Sequence, residues 1–392
     1  MSFDIALSGI QSINQQLNST SNNIANAGTY GFKSSRANFS AMYAGSRATG
    51  TEIGSITQSM SLNGGVLNTG RALDAAVDGR GYFVSRDAQN TMNYSRVGIF
   101  SASSDGKLID SNGRLVQGYA AVKGSSTLGT MGDMLIPTGQ IPAVATTKLA
   151  YAANLSAEWT VKTPPFDKNN ELSYNSAKSS IVYDSLGAKH SLGQYFVKTA
   201  AGVDVHYTFD NANVATVTNM TFDVNGKLVN GTSAAPALPT PTGAAAMAVA
   251  IDYTGTTQFA GEATTSTDRA DGYASGTYTG VELADDGSVV AKYTNGQKQS
   301  IGVIALATFP DEGALTAVND TSWVASTTSG TAIYDRPGAG MAGKLVTSSL
   351  EQSNVDITSE LVGLMTSQRN YQANSKVIST ENAMLQSLMQ AL

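Results

Sequence analysis

The sequence predicts a mixed, mainly β protein in which terminal α-helical coiled-coil segments enclose two β-rich domains, the outer one inserted in the inner one. Three observations carry that fold class. Apolar residues recur every seven positions across the last thirty-six residues, and a second stripe of the same kind fills the first twenty-five. Between them lie β-like runs closed by Asp-Gly and Asn-Gly pairs, the residues that tight hairpin turns require.

In chain order, Phe3, Ala6, Ile10, Ile13, Leu17, Thr20 and Ile24 alternate three and four apart, so residues 1–30 read as a core helix and the turn that closes it. Asp4 stands in its first turn, where the helix dipole favours an anion. Residues 31–70 read as an extended connector with short strands, because Gly45, Gly50, Gly54, Gly64 and Gly65 break any long element. The first part of an inner β-domain follows over 71–141, with turns at Asp105-Gly106 and Asn112-Gly113. Residues 142–272 change to a Thr- and Ala-rich text and are read as the inserted outer domain. Over 273–348 the inner domain resumes, through Asp286-Gly287, Asn295-Gly296 and the buried-type run Ile301 to Phe309. The last stretch, 349–392, is a connector and a coiled-coil helix. Its main row is Ile357, Leu364, Tyr371, Ile378, Leu385 and Leu392; its second row is Leu361, Gln368, Ser375, Asn382 and Met389. Polar residues in a seam cost stability and fix register. Val377, Met384 and Leu388 widen the stripe, which then suits more than one neighbour. Neither terminal segment carries the charged flanks of a coiled coil that stands alone in water, so both look built to be surrounded by copies of themselves.

Composition narrows the function. A net charge of -6 argues against nucleic acid or an anionic membrane as partner, and no apolar run is long enough to span a bilayer. Only 14% of residues are charged, against roughly 25% in ordinary soluble domains, and surfaces so poor in charge often become interfaces. With no Cys, thiolate metal sites and thiol nucleophiles are excluded. His190 and His206 lack a third ligand nearby in sequence, and Asp285-Asp286-Gly287 lacks the alternating oxygens of a calcium loop. Gly79-Arg80-Gly81 and Gly338-Ala339-Gly340 lack the context of a phosphate cradle. No catalytic, metal or cofactor residue is therefore expected. The first basic residue is Lys33, so the charged start of a cleaved secretory signal is missing.

Two motifs then stand out. The first helix closes on Asn22-Asn23-Ile24-Ala25-Asn26-Ala27-Gly28-Thr29-Tyr30-Gly31-Phe32-Lys33, and the last opens on Ser353-Asn354-Val355-Asp356, followed by Glu360, Gln368-Arg369, Tyr371 and Ala373-Asn374. Together they resemble the two ends of the bacterial flagellar rod and hook family. The inner domain resembles it too, through Asn68-Thr69-Gly70-Arg71, Leu73-Asp74, Gly81-Tyr82-Phe83 and Tyr94-Ser95-Arg96, with Arg80 departing from the family's usual Asp. The resemblance implies a non-enzymatic subunit of an extracellular helical tube. Its core would be the terminal helices, assembled through Phe3, Ile10, Ile13, Leu17 and Ile24 and the apolar residues of the last helix. It implies export without a cleaved signal peptide, and as partners other copies, the rod and hook–filament junction proteins, the hook cap and the export apparatus. The size of the insertion favours the hook, a flexible joint passing torque from rod to filament, over the distal rod. A secreted β-rich adhesin or enzyme would explain the middle of the chain but not its two ends.

Overall fold

Asn and Gly after a long apolar stripe stop a helix, and the first helix, α1 (Ser2–Ala25), ends at that point in the chain. The structure, a computed structural model, describes residues 2–122 and 127–391. Two units emerge: Met1–Thr138 with Gly280–Lys292 and Lys298–Leu392, and Gly139–Thr279 with Tyr293–Gln297.

In the first unit α1 is followed by β1 (Ser35–Ala44) and β2 (Arg47–Gln58), a long antiparallel hairpin turning at Gly45. Strands of 10 and 12 residues replace the short ones expected of this connector. Their alternation is hidden in the sequence for two reasons. The hairpin is built mainly of Ala, Ser, Thr and Gly, and irregularities after Asn38 and Met42 shift its register.

Beyond the hairpin, β3 (Val66–Asn68) and β4 (Ala75–Asp78) pair antiparallel with Ser349–Glu351 and Lys344–Thr347, so the chain returns from its far end alongside its own beginning. β5 (Tyr82–Arg86) and β6 (Met92–Ser95) form the centre of a larger sheet, flanked by Leu115–Ala121 and Lys298–Ile304 on one side and Ser322–Val324 and Thr316–Val318 on the other. Tyr82, Tyr94, Phe309 and Trp323 meet edge to face there, with centroids 4.8 to 6.2 Å apart, and with Met60, Val84 and Leu315 they make the core.

The second unit has its own core between two sheets. One runs Ser233–Ala234, Ala250–Asp252, Lys148–Asn154, Thr264–Ala270; the other is an antiparallel meander of Ser176–Tyr183, Lys189–Lys198, Val203–Phe209, Ala212–Phe222 and Leu228–Asn230. Leu149, Tyr151, Val182, Leu192, Phe196, Val205, Tyr207 and Ile251 fill the space between, with Tyr253. A buried polar chain crosses it: the Tyr253 hydroxyl donates to Gln194 at 2.7 Å, and the Gln194 amide donates to Ser180 at 3.1 Å. Burial pushes the Tyr253 hydroxyl well above its ordinary pKa. The segment leaves this unit where it came in, because Ile141 bridges Gly276 and Val144 bridges Tyr273.

Paired ends about 5 Å apart let an insertion be cut out without stretching what remains. Replacing residues 142–275 by a Gly-Gly link is therefore expected to leave the Trp323 cluster intact. Near-ultraviolet circular dichroism should keep that cluster's signal, and its loss would show that the first unit does not fold without the second.

Candidate functional site

Both motifs converge on a hydrogen-bonded knot where the chain passes from α1 to the hairpin and from the strand Ser349–Glu351 to the last helix, α2 (Ile357–Ala391). Asn23 is buried. Its side-chain carbonyl accepts from the Ser35 amide at 2.9 Å, and its amide donates to the Ser35 carbonyl at 2.8 Å and to Glu360 Oε1 at 2.7 Å. A side-chain amide carries two N–H donors and a separate carbonyl acceptor, which is what two donations and one acceptance here require. Asn26 closes α1 locally: its amide donates to the Asn22 carbonyl and its oxygen accepts from the Thr29 hydroxyl. Asn354 does for the second crossing what Asn23 does for the first, accepting from the Ser34 amide at 2.7 Å and donating to the Ser59 and Leu62 carbonyls at 3.0 Å. Phe32 is half-buried, and its carbonyl accepts from the Asn354 amide. Asp356 caps α2, accepting from the Thr358 amide and the Ser359 hydroxyl, and these bonds, that of Ser359 foremost, hold its carboxyl below the usual range.

At the centre of the knot lie three charges, Lys33, Arg96 and Glu351, each at most 2% exposed. Lys33 Nζ donates to Glu351 Oε1 at 2.8 Å and to the Leu62 carbonyl at 2.6 Å. Arg96 lies 3.4 Å from Glu351 Oε2, donates to the Val77 and Gly79 carbonyls and to Asn63, and rests over the Tyr82 ring. Burial pushes the Lys33 ammonium below the usual lysine range, against the pull of Glu351. Two glycines allow the approach. A Cβ on Gly31, which has φ +66°, would press within 3.0 Å of the Arg96 backbone, and one on Gly64 would overlap the Gln352 carbonyl at 1.8 Å. Arg80, the departure from the family, pairs with Glu312 at 2.8 Å on the exposed side.

Above the knot the two helices run antiparallel. Asn23 meets Glu360 and Gly9 meets Asn374, the same interval of fourteen residues on each helix. The face of α2 toward α1 is therefore Glu360, Leu364, Ser367, Asn374, Ile378 and Glu381, with Ser367 its only buried residue among those described. On α1 Ala6, Ile13, Thr20 and Asn23 are buried, Ile10, Leu17 and Ile24 half-buried, and Phe3 and Asn22 exposed. Hydroxyls tie α1 to the hairpin as well: Ser12 donates to the Thr51 carbonyl, and Ser8 accepts from the Thr51 amide.

Of the residues singled out on α2, Leu364 and Ile378 lie in this pairing. Gln368 and Tyr371, though exposed, border the same small cleft as Asn14 and Leu17 of α1; Ile357, Leu361, Arg369 and Leu385 are exposed in the single chain, and Leu392 lies outside the described residues. Sequence reasoning missed Glu351. The signal was available in principle, since a lysine fixed in a buried turn needs a carboxylate. Among the described residues no group of three His, Cys, Asp or Glu is placed to hold a metal.

Paired terminal helices, a knot binding them to a β-domain and a second β-domain inserted in it define a structural protein of the flagellar axial class. Family models match three segments: the flagellar hook protein FlgE/F/G D1 domain at 76–150, the flagellar basal body protein FlaE D2 domain at 154–273, and the flagellar basal body rod FlgEFG protein C-terminal at 346–391. The chain is 34% identical to the flagellar hook protein FlgE of Salmonella typhimurium strain LT2, over 99% of each chain, and 35% identical to that of Escherichia coli K12, also over 99% of each. To the hook protein of Treponema pallidum it is 28% identical, over 98% of this chain and 97% of the other. A crystal structure of Helicobacter pylori flagellar hook protein FlgE2 shares the fold, with TM-score 0.53 and 12% identity over 73% of this chain and all of that one. The chain belongs to the flagellar hook protein family.

Removing one partner of a buried ion pair costs about 3–5 kcal/mol, more than removing both. Glu351→Ala, which strands Lys33 and Arg96 together, is expected to lower the urea stability of the first unit by about that amount. Lys33→Met leaves Glu351 with Arg96 and should cost less. In the double variant Lys33→Met with Glu351→Ala the loss should be smaller than the sum of the two single losses; strict additivity would mean the charges are not coupled.

Proposed function

We propose that the chain is the self-assembling subunit of the flagellar hook, and that its terminal helices form the core of a helical tube passing torque from rod to filament. The observation that carries this is the apolar surface the helix pair leaves uncovered. Extended at constant register, the pairing brings Ser2 opposite Glu381, so the last turns of α2 overhang α1. Leu361, Val362, Met365, Met384, Leu388 and Met389 all face outward, with Met384 and Leu388 at 64% and 60% exposure. Such a surface is costly in water, at roughly 25 cal/mol per Å² of apolar area. Charge is also sparse on it, since Glu360, Arg369, Lys376 and Glu381 are the charged residues of α2.

A face of one subunit that meets a different face of the next, with a rotation that does not close, generates a tube rather than a ring. Helices on the axis would form its continuous core. Load on the core would then reach the β-domain through the knot, because both chain crossings pass through it. Copies of the chain are thus the main partner. At the ends of the tube the partners are the rod proteins, the junction proteins and the cap, and the route there is the flagellar export apparatus without a cleaved signal peptide. The place of work is outside the cell, and the role is structural rather than catalytic.

Substitutions on the uncovered apolar face separate assembly from folding. Leu388→Asp and Met365→Asp are exposed in the single chain, so thermal unfolding should match the parent. In a tube each would bury a charge against apolar neighbours once per subunit, at several kcal/mol each time. Negative-stain electron microscopy is expected to find no tubes with either variant. Tubes at the parental yield would overturn the reading.

A further inference from the structure

The second unit carries a histidine set between two carboxylates. His190 Nδ1 lies 2.6 Å from Asp210 Oδ2, and Nε2 lies 3.3 Å from Asp184 Oδ2. The two acids come from different turns. Asp184 opens the turn between Ser176–Tyr183 and Lys189–Lys198, where its other oxygen accepts from the Leu186 and Ala188 amides at 2.9 and 2.8 Å. Asp210 sits with Asn211 in the turn between Val203–Phe209 and Ala212–Phe222, both at positive φ, and its second oxygen accepts from the Ser191 amide at 2.9 Å. The ring stacks on Phe209 with centroids 5.0 Å apart, and its side chain is 14% exposed. Other cations stand near without facing the ring. Lys168 donates to the Asn211 carbonyl at the same turn, and Lys189, next in the chain, is exposed.

An ionised carboxylate only accepts hydrogen bonds, and a neutral imidazole has one N–H and one lone pair. Both contacts can be hydrogen bonds only when both ring nitrogens are protonated. On deprotonation one carboxylate is left facing a lone pair, and for Asp184, itself buried, the Oδ2 oxygen then loses its donor in a poorly solvated place.

We propose that His190 is an acid-closed clasp: as an imidazolium it ties the two turns of the second unit together, and in alkaline medium it lets them part. Burial of the ring opposes its charge, but Asp210 and then Asp184 outweigh this and hold His190 above the usual histidine range. The carboxyls of Asp184 and Asp210 are likewise held below theirs despite burial. The signs fix the window. A raised histidine stabilises fully below its unfolded value of about 6.5 and loses this as pH rises through the folded value. Lowered aspartates stabilise above about 3.9 and lose this as pH falls through their folded values. The clasp is therefore closed between these limits and opens on the alkaline side.

The full-length subunit, kept monomeric and labelled in its histidine rings, gives two titrating signals, because His190 and His206 are the only histidines. His206, stacked on Phe166 at 4.2 Å, is held below the ordinary range chiefly by burial and so serves as the internal reference. His206→Gln assigns the signals. The expected result is that His190 titrates above His206, and that Asp210→Asn moves it down. Hydrogen-exchange protection factors, already corrected for intrinsic rates, should fall roughly threefold or more between pH 5.5 and 8.5 for peptides over 184–191 and 209–213. In His190→Gln that fall should vanish, while His206→Gln should keep it. If His190 titrates with or below His206, or if protection in the parent does not change with pH, the clasp does not exist. Those two measurements on the parent decide the matter even if His190→Gln fails to fold.

Discussion

The ion pair between Lys33 and Glu351 is the constraint on which the first unit depends. It joins residues 318 positions apart, and both side chains are buried. A buried pair of this kind is weak evidence for net stability, because desolvation offsets most of the attraction. Its value is specificity. Lys33 can be satisfied only if the Leu62 carbonyl and Glu351 arrive together, and Glu351 also holds the Gly64 amide at 3.1 Å. The turn after α1, the stretch after the hairpin and the strand before α2 are thereby fixed to one point. Arg96 brings in the β-domain, through the Val77 and Gly79 carbonyls. No single-segment arrangement could order both helix roots at once.

That point also explains why the helices can be weakly paired and still aligned. Their mutual face is small and polar, with Gly9 against Asn374 and Glu360 against Asn23. Small residues let two helices approach closely, whereas polar residues set register at the expense of stability. An isolated pair with such a seam would be marginal in water. Tethered at the knot, its strands need not find each other, and register is set by where they start.

The periodicity of both terminal helices was legible in the sequence, and so were the fold class, the family and the Asp-Gly and Asn-Gly turns. What a heptad stripe cannot reveal is which neighbour each row meets. Leu361 and Met389 look like seam residues by type, yet the row one residue before theirs, Glu360, Ser367, Asn374 and Glu381, is the one toward α1. At Gly9 the approach is close, with the Asn374 side chain 3.0 Å from where a Cβ would stand, so that point of the face admits only a small residue on α1. Asn23, Lys33 and Asn354 could be recognised as a signature, but not their hydrogen-bond partners, since no local pattern encodes a contact over hundreds of residues. The long hairpin was hidden for a different reason: its strands are largely exposed and alternate in exposure too weakly to show period two.

On the proposed assembly, these two kinds of seam divide the labour between folding and polymerisation. Contacts that must form in one chain, the knot and the α1–α2 face, are polar, directional and long-range, so they specify an arrangement without making it very stable. Contacts proposed for the tube are apolar and non-directional, so they contribute stability wherever a copy is supplied. Exchanging the two roles would fail in both directions. An apolar intramolecular seam would hide the surface that assembly needs, and a polar intermolecular one would gain little per subunit. The placement of Leu361, Met365 and Leu388 outside the pair, with Ser367 and Asn374 inside it, follows from that division.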